Sequence, residues 1–467
     1  MELWHLCPCY NPRTLLQPRY FAHPPRADNT PHAPESPRHG MKRGFFTIMA
    51  AQFFSSLADN ALFVAAVQLL RDAQAAEWQQ ASLVPLFALF YVVLAPFVGA
   101  VADAWPKGQV MLVSNAIKIV GCLMMLFGGH PLLAYAIVGL GAAAYSPAKY
   151  GILTELLPAS QLVKANGWIE GLTIASIILG VLLGGQLIGP NIAPWLLALD
   201  LPLLDSSIDT PPEAAICALV LLYLVAAWFN NRIPDTGVEM RPLPRNPMVL
   251  LPDFWRCNRS LWHDKLGQIS LSTTTLFWGV SGNLRYIVLA WAGAALGYTV
   301  TQASTLVGVV ALGTAVGAVV ASVRCRLEDA PRLMTLGIGM GLLVLLLNLI
   351  DNVWLAAPFL VLLGALGGYL VVPMNALLQH RGHNLMGAGR SIAVQNFNEQ
   401  ACILVLGGLY AWATGEGVSA FGAISGFGIL VAVLMWRIQV WHANNLRVHG
   451  PEVEHLLQIA RDDSAHG

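Results

Sequence analysis

The recurrence of long apolar segments from Phe45 onward constrains this chain more than any other feature. A bilayer core about 30 Å thick takes about 20 residues of helix. Segments of that order fall at 45–71, 83–102, 109–128, 132–155, 167–189, 213–232, 269–295, 302–323, 333–350, 353–376, 387–412 and 416–441. These twelve predict an all-α polytopic membrane protein. Backbone groups in lipid find no water, so each span is expected to be a helix. The two-residue alternation of a membrane barrel is absent. Only 11% of the 467 residues are charged, against about a quarter in soluble domains. The 26 basic and 26 acidic residues cancel, which excludes a strongly basic nucleic-acid binder. The seven cysteines are scattered and make no disulfide framework.

The loops predict an orientation. Those after odd-numbered spans contain Arg71 as their only basic residue, whereas those after even-numbered spans hold Lys107, Lys164, Arg232, Arg241, Arg256, Arg324 and Arg381 among others. Basic loops stay in the cytoplasm, so both termini are expected there. Residues 1–40 carry eight prolines and no apolar run, and read as a disordered or mis-started tail, with Met41 a plausible start. His5, Cys7 and Cys9 fall short of the four ligands of a structural zinc. The expected units are a six-helix half at 41–232, a cytoplasmic linker at 233–268, a second half at 269–441 and a polar tail at 442–467. The proline-rich, acidic stretch 190–212 reads as an outer loop that dips into the interface.

The halves repeat at an offset near 220 residues. Gly99-Ala-Val-Ala-Asp103 matches Gly317-Ala-Val-Val-Ala321, and Gly141 stands to Pro147 as Gly367 stands to Pro373. Asn166 with Glu170 finds its counterpart in Asn396 with Glu399, and Asp59 falls opposite the Asn283–Arg285 region. Two parallel six-helix repeats with a site between them are the plan of the major facilitator fold. Gly99, Asp103 and Lys107 with Gly108 also resemble that superfamily's signature between spans two and three. Ala104 stands where a basic residue usually follows the acid. In that signature the acid binds a facing helix end or a basic partner in one conformation; the alternative is an ordinary turn with a helix-terminal acid.

A charge at the bilayer centre costs at least about 2.5 kcal/mol, so embedded charges need partners, water or a function. Asp59 lies in mid-span one beside Asn60, and Arg285 in mid-span seven. Pseudo-symmetry predicts that they face each other, as a switchable or a static pair. Glu399 lies in span eleven among Gln395, Asn396, Asn398 and Gln400, and is expected to line a pathway or gate. Glu170 is its counterpart. Lys149 and Glu155 sit near the end of span four, where an interfacial ion-pair network is the competing reading. Lys118 is a core ion-pair candidate, and Gln52 adds polarity near Asp59. Gly180-x-x-x-Gly184, Gly313-x-x-x-Gly317 and Gly337-x-Gly-x-Gly341 predict close helix packing, and Pro147 and Pro373 predict kinks or ends. There is no phosphate-binding loop, catalytic triad, zinc-protease motif or dinucleotide loop, so no enzyme, cofactor or metal is expected. His380 and His383 read as solvated loop residues.

Longer blocks go further. Ala51-Gln52-Phe53 with Ala58-Asp59-Asn60-Ala61-Leu62, Gly141-Ala-Ala-Ala-Tyr-Ser-Pro-Ala-Lys-Tyr-Gly-Ile-Leu153, and Leu162-Val-Lys-Ala-Asn-Gly167 with Glu170 resemble the bacterial lysophospholipid transporter family. So do Leu276-Phe-Trp-Gly279 with Leu284-Arg285, Val371-Val-Pro373 with Asn375-Ala-Leu-Leu-Gln379, and Gly387-Ala-Gly389 with Ile392-Ala-Val-Gln-Asn396. The resemblance covers about residues 41–441. It implies a flippase that moves lysophosphatidylethanolamine and lysophosphatidylglycerol across the bacterial inner membrane. It also implies a separate acyltransferase and acyl-carrier-protein synthetase as partner. A drug or solute exporter of the same superfamily, coupled to protons through Asp59 or Glu399, and a non-transporting scaffold for the acyltransferase are the rival expectations.

Overall fold

The computed structural model describes residues 38–75, 77–198, 208–298 and 300–465. The expected N-terminal tail, with His5, Cys7 and Cys9, lies outside the described residues up to position 37. The first half contains α1 (Arg38–Asp72), α2 (Glu77–Val93), α3 (Ala95–Ala104), α4 (Lys107–Leu126), α5 (Pro131–Leu156), α6 (Ala159–Ile188), the short α7 (Ala193–Leu197) and α8 (Pro211–Asn230). The linker holds α9 (Leu250–His263). The second half contains α10 (Gly267–Leu296), α11 (Val300–Arg324), α12 (Met334–Leu346), α13 (Val353–Met386), α14 (Ala388–Gly415) and α15 (Ala420–Ala465).

Nine of the described helical segments are long and apolar enough to cross a bilayer. The second expected span is broken: α2 and α3 meet at a 62° bend, and together they count as a tenth. The break falls at Leu94 before Pro96, because a proline ring cannot continue the hydrogen-bond ladder. Pro147 and Pro373 lie inside α5 and α13, and neither ends its helix. The remaining two expected spans, α10 and α14, are 30 and 28 residues long. They fall short on hydropathy because they carry the buried polar residues of the interior, among them Thr273, Thr274, Asn283, Gln395 and Glu399. The linker is not wholly irregular, since α9 packs on α3, α10, α13 and α14. In the 190–212 stretch, α7 packs on α8 and leaves Trp195 exposed.

All three glycine motifs sit at close helix approaches. Gly180 and Gly184 meet the backbone of α1, Gly313 and Gly317 that of α13, and Gly341 that of α15. A Cβ on Gly317 would land on the carbonyl of Ala365, well inside contact distance. Gly317→Val is therefore expected to cost about 1–3 kcal/mol, seen as a lower melting temperature in detergent. Gly387, with φ of 96°, is the single residue that turns α13 into α14. In the second half's core, fully buried Trp291 donates to the Leu347 carbonyl at 3.1 Å, so its indole N–H is satisfied.

Candidate functional site

The first half is organised around a buried ion pair. Lys118 on α4 is 1% exposed, and its Nζ donates to Asp59 Oδ2 on α1 at 2.7 Å and to Ser55 Oγ at 3.0 Å. Tyr223 on α8 donates its hydroxyl to Asp59 Oδ1 at 2.7 Å, and the Lys118 ammonium lies 5.0 Å from the ring centre of Tyr145 on α5. Four helices thus converge on one pair. Asp59 therefore holds Lys118 and Tyr223 within its own half. The side chain of its expected partner, Arg285, lies outside the described residues. Gln52 is buried and ties α1 to α6 by donating to Thr173 Oγ1 at 3.0 Å. Asn60 donates to the Ser56 carbonyl at 2.8 Å, on the α1 surface that meets Gly180.

A second polar group lies between the halves. Glu170 on α6 is buried and interacts electrostatically with Lys149 on α5, yet among the described side chains neither forms a salt bridge. The Lys149 ammonium rests 4.6 Å from the centre of the Tyr150 ring. Glu399 on α14 accepts from Gln395 Nε2 at 2.8 Å. Gln395 also donates to Asn375 Oδ1 at 3.0 Å. Glu399 lies within the field of Glu170, and Tyr150 within that of both. Glu155 does not join Lys149 in the expected network. It pairs with Lys107 at 2.7 Å, because the turn after α3 brings that ammonium onto α5.

Toward the face that carries the linker, the halves are sealed. Asn396 Nδ2 donates to Ser146 Oγ at 2.8 Å, and Asn166 and Gln379 exchange two amide hydrogen bonds at 2.9 and 3.0 Å. Thr154 and His383 approach to 3.2 Å, and His380 contacts Asp463 at 2.9 Å, so neither histidine is a solvated loop residue. The seal ends at the loop signature. Asp103 Oδ1 accepts the Gly389 N–H at 2.6 Å, and Oδ2 accepts the Arg390 N–H at 3.1 Å and its guanidinium at 3.2 Å. The free N–H groups and partial positive charge of a helix start make α14 a natural seat for this carboxylate. Gly99 lets α3 come this close, since a Cβ there would meet the Ala393 methyl at 2.6 Å. Lys107 bonds the Ala102 carbonyl at 2.7 Å and stands 3.8 Å from Asp103. At the other seam Gly167 of α6 meets Ala318 and Ser322 of α11. There the repeat has Ala321 in place of the acid, so this signature latches one seam only.

Arg390 and Asp253 were missed from the sequence, and Gln379 stood out only as part of a family block. Arg390 fills the role of the basic residue that Ala104 does not supply, and it comes from the other half. One signal was available. An arginine in the first turn of a helix opposes the macrodipole and calls for an acid nearby. Arg390 in fact has two acids, Asp103 and, at 3.1 Å, Asp253 of α9. Asn398 does not face the interior with its neighbours; it bonds Asn258 of α9 at 3.0 Å.

The fold is found elsewhere. Human organic anion transporter MFSD10 (TETRAN) superposes with a TM-score of 0.64, covering 86% of this chain and 100% of its own, at 16% identity. The sequence pattern described as Major Facilitator Superfamily matches residues 48–405. Lysophospholipid transporter LplT of Pectobacterium carotovorum subsp. carotovorum (strain PC1) is 40% identical over 380 residues, 81% of this chain and 88% of that protein. The protein of the same name from Yersinia enterocolitica is 40% identical over 372 residues, 79% of this chain and 87% of its own. The chain is a multi-pass membrane protein that belongs to the Major Facilitator Superfamily and, within it, to the family of these two relatives.

Proposed function

We infer that this chain moves lysophospholipids across a membrane by alternating access between its two halves. The observation that carries the reading is a charged, amide-rich cluster between the halves, sealed beneath by a gate that couples α3 to α14. The names of the relatives supply the substrate class. In this reading Arg285 attracts the phosphate and Lys149 adds a second positive charge near Glu170. Glu399 orients the polar end of the head group. The linker face is the cytoplasmic face of a bacterial inner membrane, both termini lie there, and a separate acyltransferase consumes the delivered lipid.

Purified protein in proteoliposomes is expected to carry labelled lysophosphatidylethanolamine inward faster than protein-free vesicles. No flux above that background would reject the reading. Glu399→Gln is expected to lower flux roughly 10- to 100-fold, the equivalent of one charge-assisted hydrogen bond. Exchanging the charges, Asp59→Arg with Arg285→Asp, tests their pairing: flux above both single variants supports it, and none above them rejects it. Repeating the assay with an uncoupler separates this reading from a proton-coupled exporter.

A further inference from the structure

The linker helix has an outward edge that the gate and the inter-half cluster do not use. α9 buries Leu250, Phe254, Asn258 and Leu261. Phe254 packs edge-on against Phe397 of α14 at 5.3 Å, and Ala95 of α3 belongs to the same core cluster. The helix therefore lies across the α3–α14 seam, beside membrane-spanning segments. Its outer edge begins apolar and turns basic. Met248, just before the helix, and Trp255 within it are 62% and 54% exposed, and the Arg256 side chain is 74% exposed. Positions 251, 255 and 259 follow one line at four-residue spacing, with Arg256 beside it. Exposed Arg245, in the segment leading into the helix, and Arg259 within it have no side-chain ion pair or hydrogen bond among the described residues. Apolar and aromatic anchors followed by arginines match a helix lying at head-group level.

We propose that this edge of α9 binds the head group of an anionic diacyl phospholipid, and that occupancy favours the closed gate. The coupling runs through Asp253, which is shared between Arg256 at 3.4 Å and Arg390 at 3.1 Å. An anion on Arg256 leaves Asp253 wholly to Arg390, whose Nε it holds in place while Nη1 stays on Asp103. Three arginines at an acidic surface amount to roughly a hundredfold preference over neutral lipid. The test places the full chain in nanodiscs of phosphatidylcholine with or without phosphatidylglycerol. Retained lipid is read by native mass spectrometry, and the amides at 388–394 by hydrogen exchange. Phosphatidylglycerol is expected to stay bound and to slow exchange there. Changing Arg245, Arg256 and Arg259 together to Gln is expected to abolish both effects, while Lys at the three sites retains them. Equal retention by the Gln variant overturns the site, whether or not that variant loses a soluble protein partner. Retention lost with no change in exchange overturns the coupling to the gate. Neither readout depends on lysophospholipid flux, so the outcome stands apart from the proposed transport.

Discussion

Asp103→Ala is expected to unseal the linker face and to cut lysophospholipid flux at least tenfold. The carboxylate accepts two backbone N–H groups at the start of α14 and the guanidinium of Arg390. It is 9% exposed, so water does little to replace those bonds. Hydrogen bonds to charged groups contribute about 1.5–3 kcal/mol each, and losing even one such amount moves a two-state equilibrium by roughly 10- to 100-fold. The loss falls on one state only, because these contacts exist only while α3 and α14 touch. Spin labels placed on either side of the α3–α14 seam are expected to report a longer distance in the variant. Asp103→Asn keeps the shape but not the charge, so an intermediate distance and intermediate flux are expected. An unchanged distance in Asp103→Ala would show that the amide bridges between Asn166 and Gln379 hold the face shut without the latch.

Lys118→Met is expected to destabilise the first half by about 3–5 kcal/mol, the usual loss when one partner of a buried pair is removed. Asp59 would keep its Tyr223 bond and lose its only cation among the described side chains. Thermal unfolding in detergent measures the effect. The double variant Lys118→Met with Asp59→Asn removes both charges, so it is expected to recover most of the stability. Flux then separates the roles. A double variant that is stable but inactive assigns Asp59 to transport, and a stable, active one leaves the pair to hold α1, α4, α5 and α8 together.

The fold was largely legible in the chain because apolar length maps onto bilayer thickness, and because basic loops recur with the span count. α10 and α14 read as spans seven and eleven even though the polar side chains they point into protein lower their hydropathy. What failed to read depended on tertiary packing. The break between α2 and α3 comes at Leu94 and Pro96, while the equally visible Pro147 and Pro373 leave their helices unbroken. A proline's effect depends on whether neighbouring helices re-satisfy the backbone, and that is a tertiary property.

The embedded charges divide the same way. Asp59, Glu170 and Glu399 stood out in the sequence because the cost of burying a charge is local. Which partner each would take did not, because electrostatic pairing acts through space. Lys118 reaches Asp59 across 59 positions and Arg390 reaches Asp103 across 287. By itself the sequence determined the spans, the repeat, the orientation it predicts and the list of residues that bilayer physics would not tolerate unexplained. Only the tertiary structure decided which opposite charges meet, that the loop acid caps a helix of the other half, and that α9 joins the latch. Burial energy is paid residue by residue along the chain, whereas pairing is set by which helix faces the packing brings together.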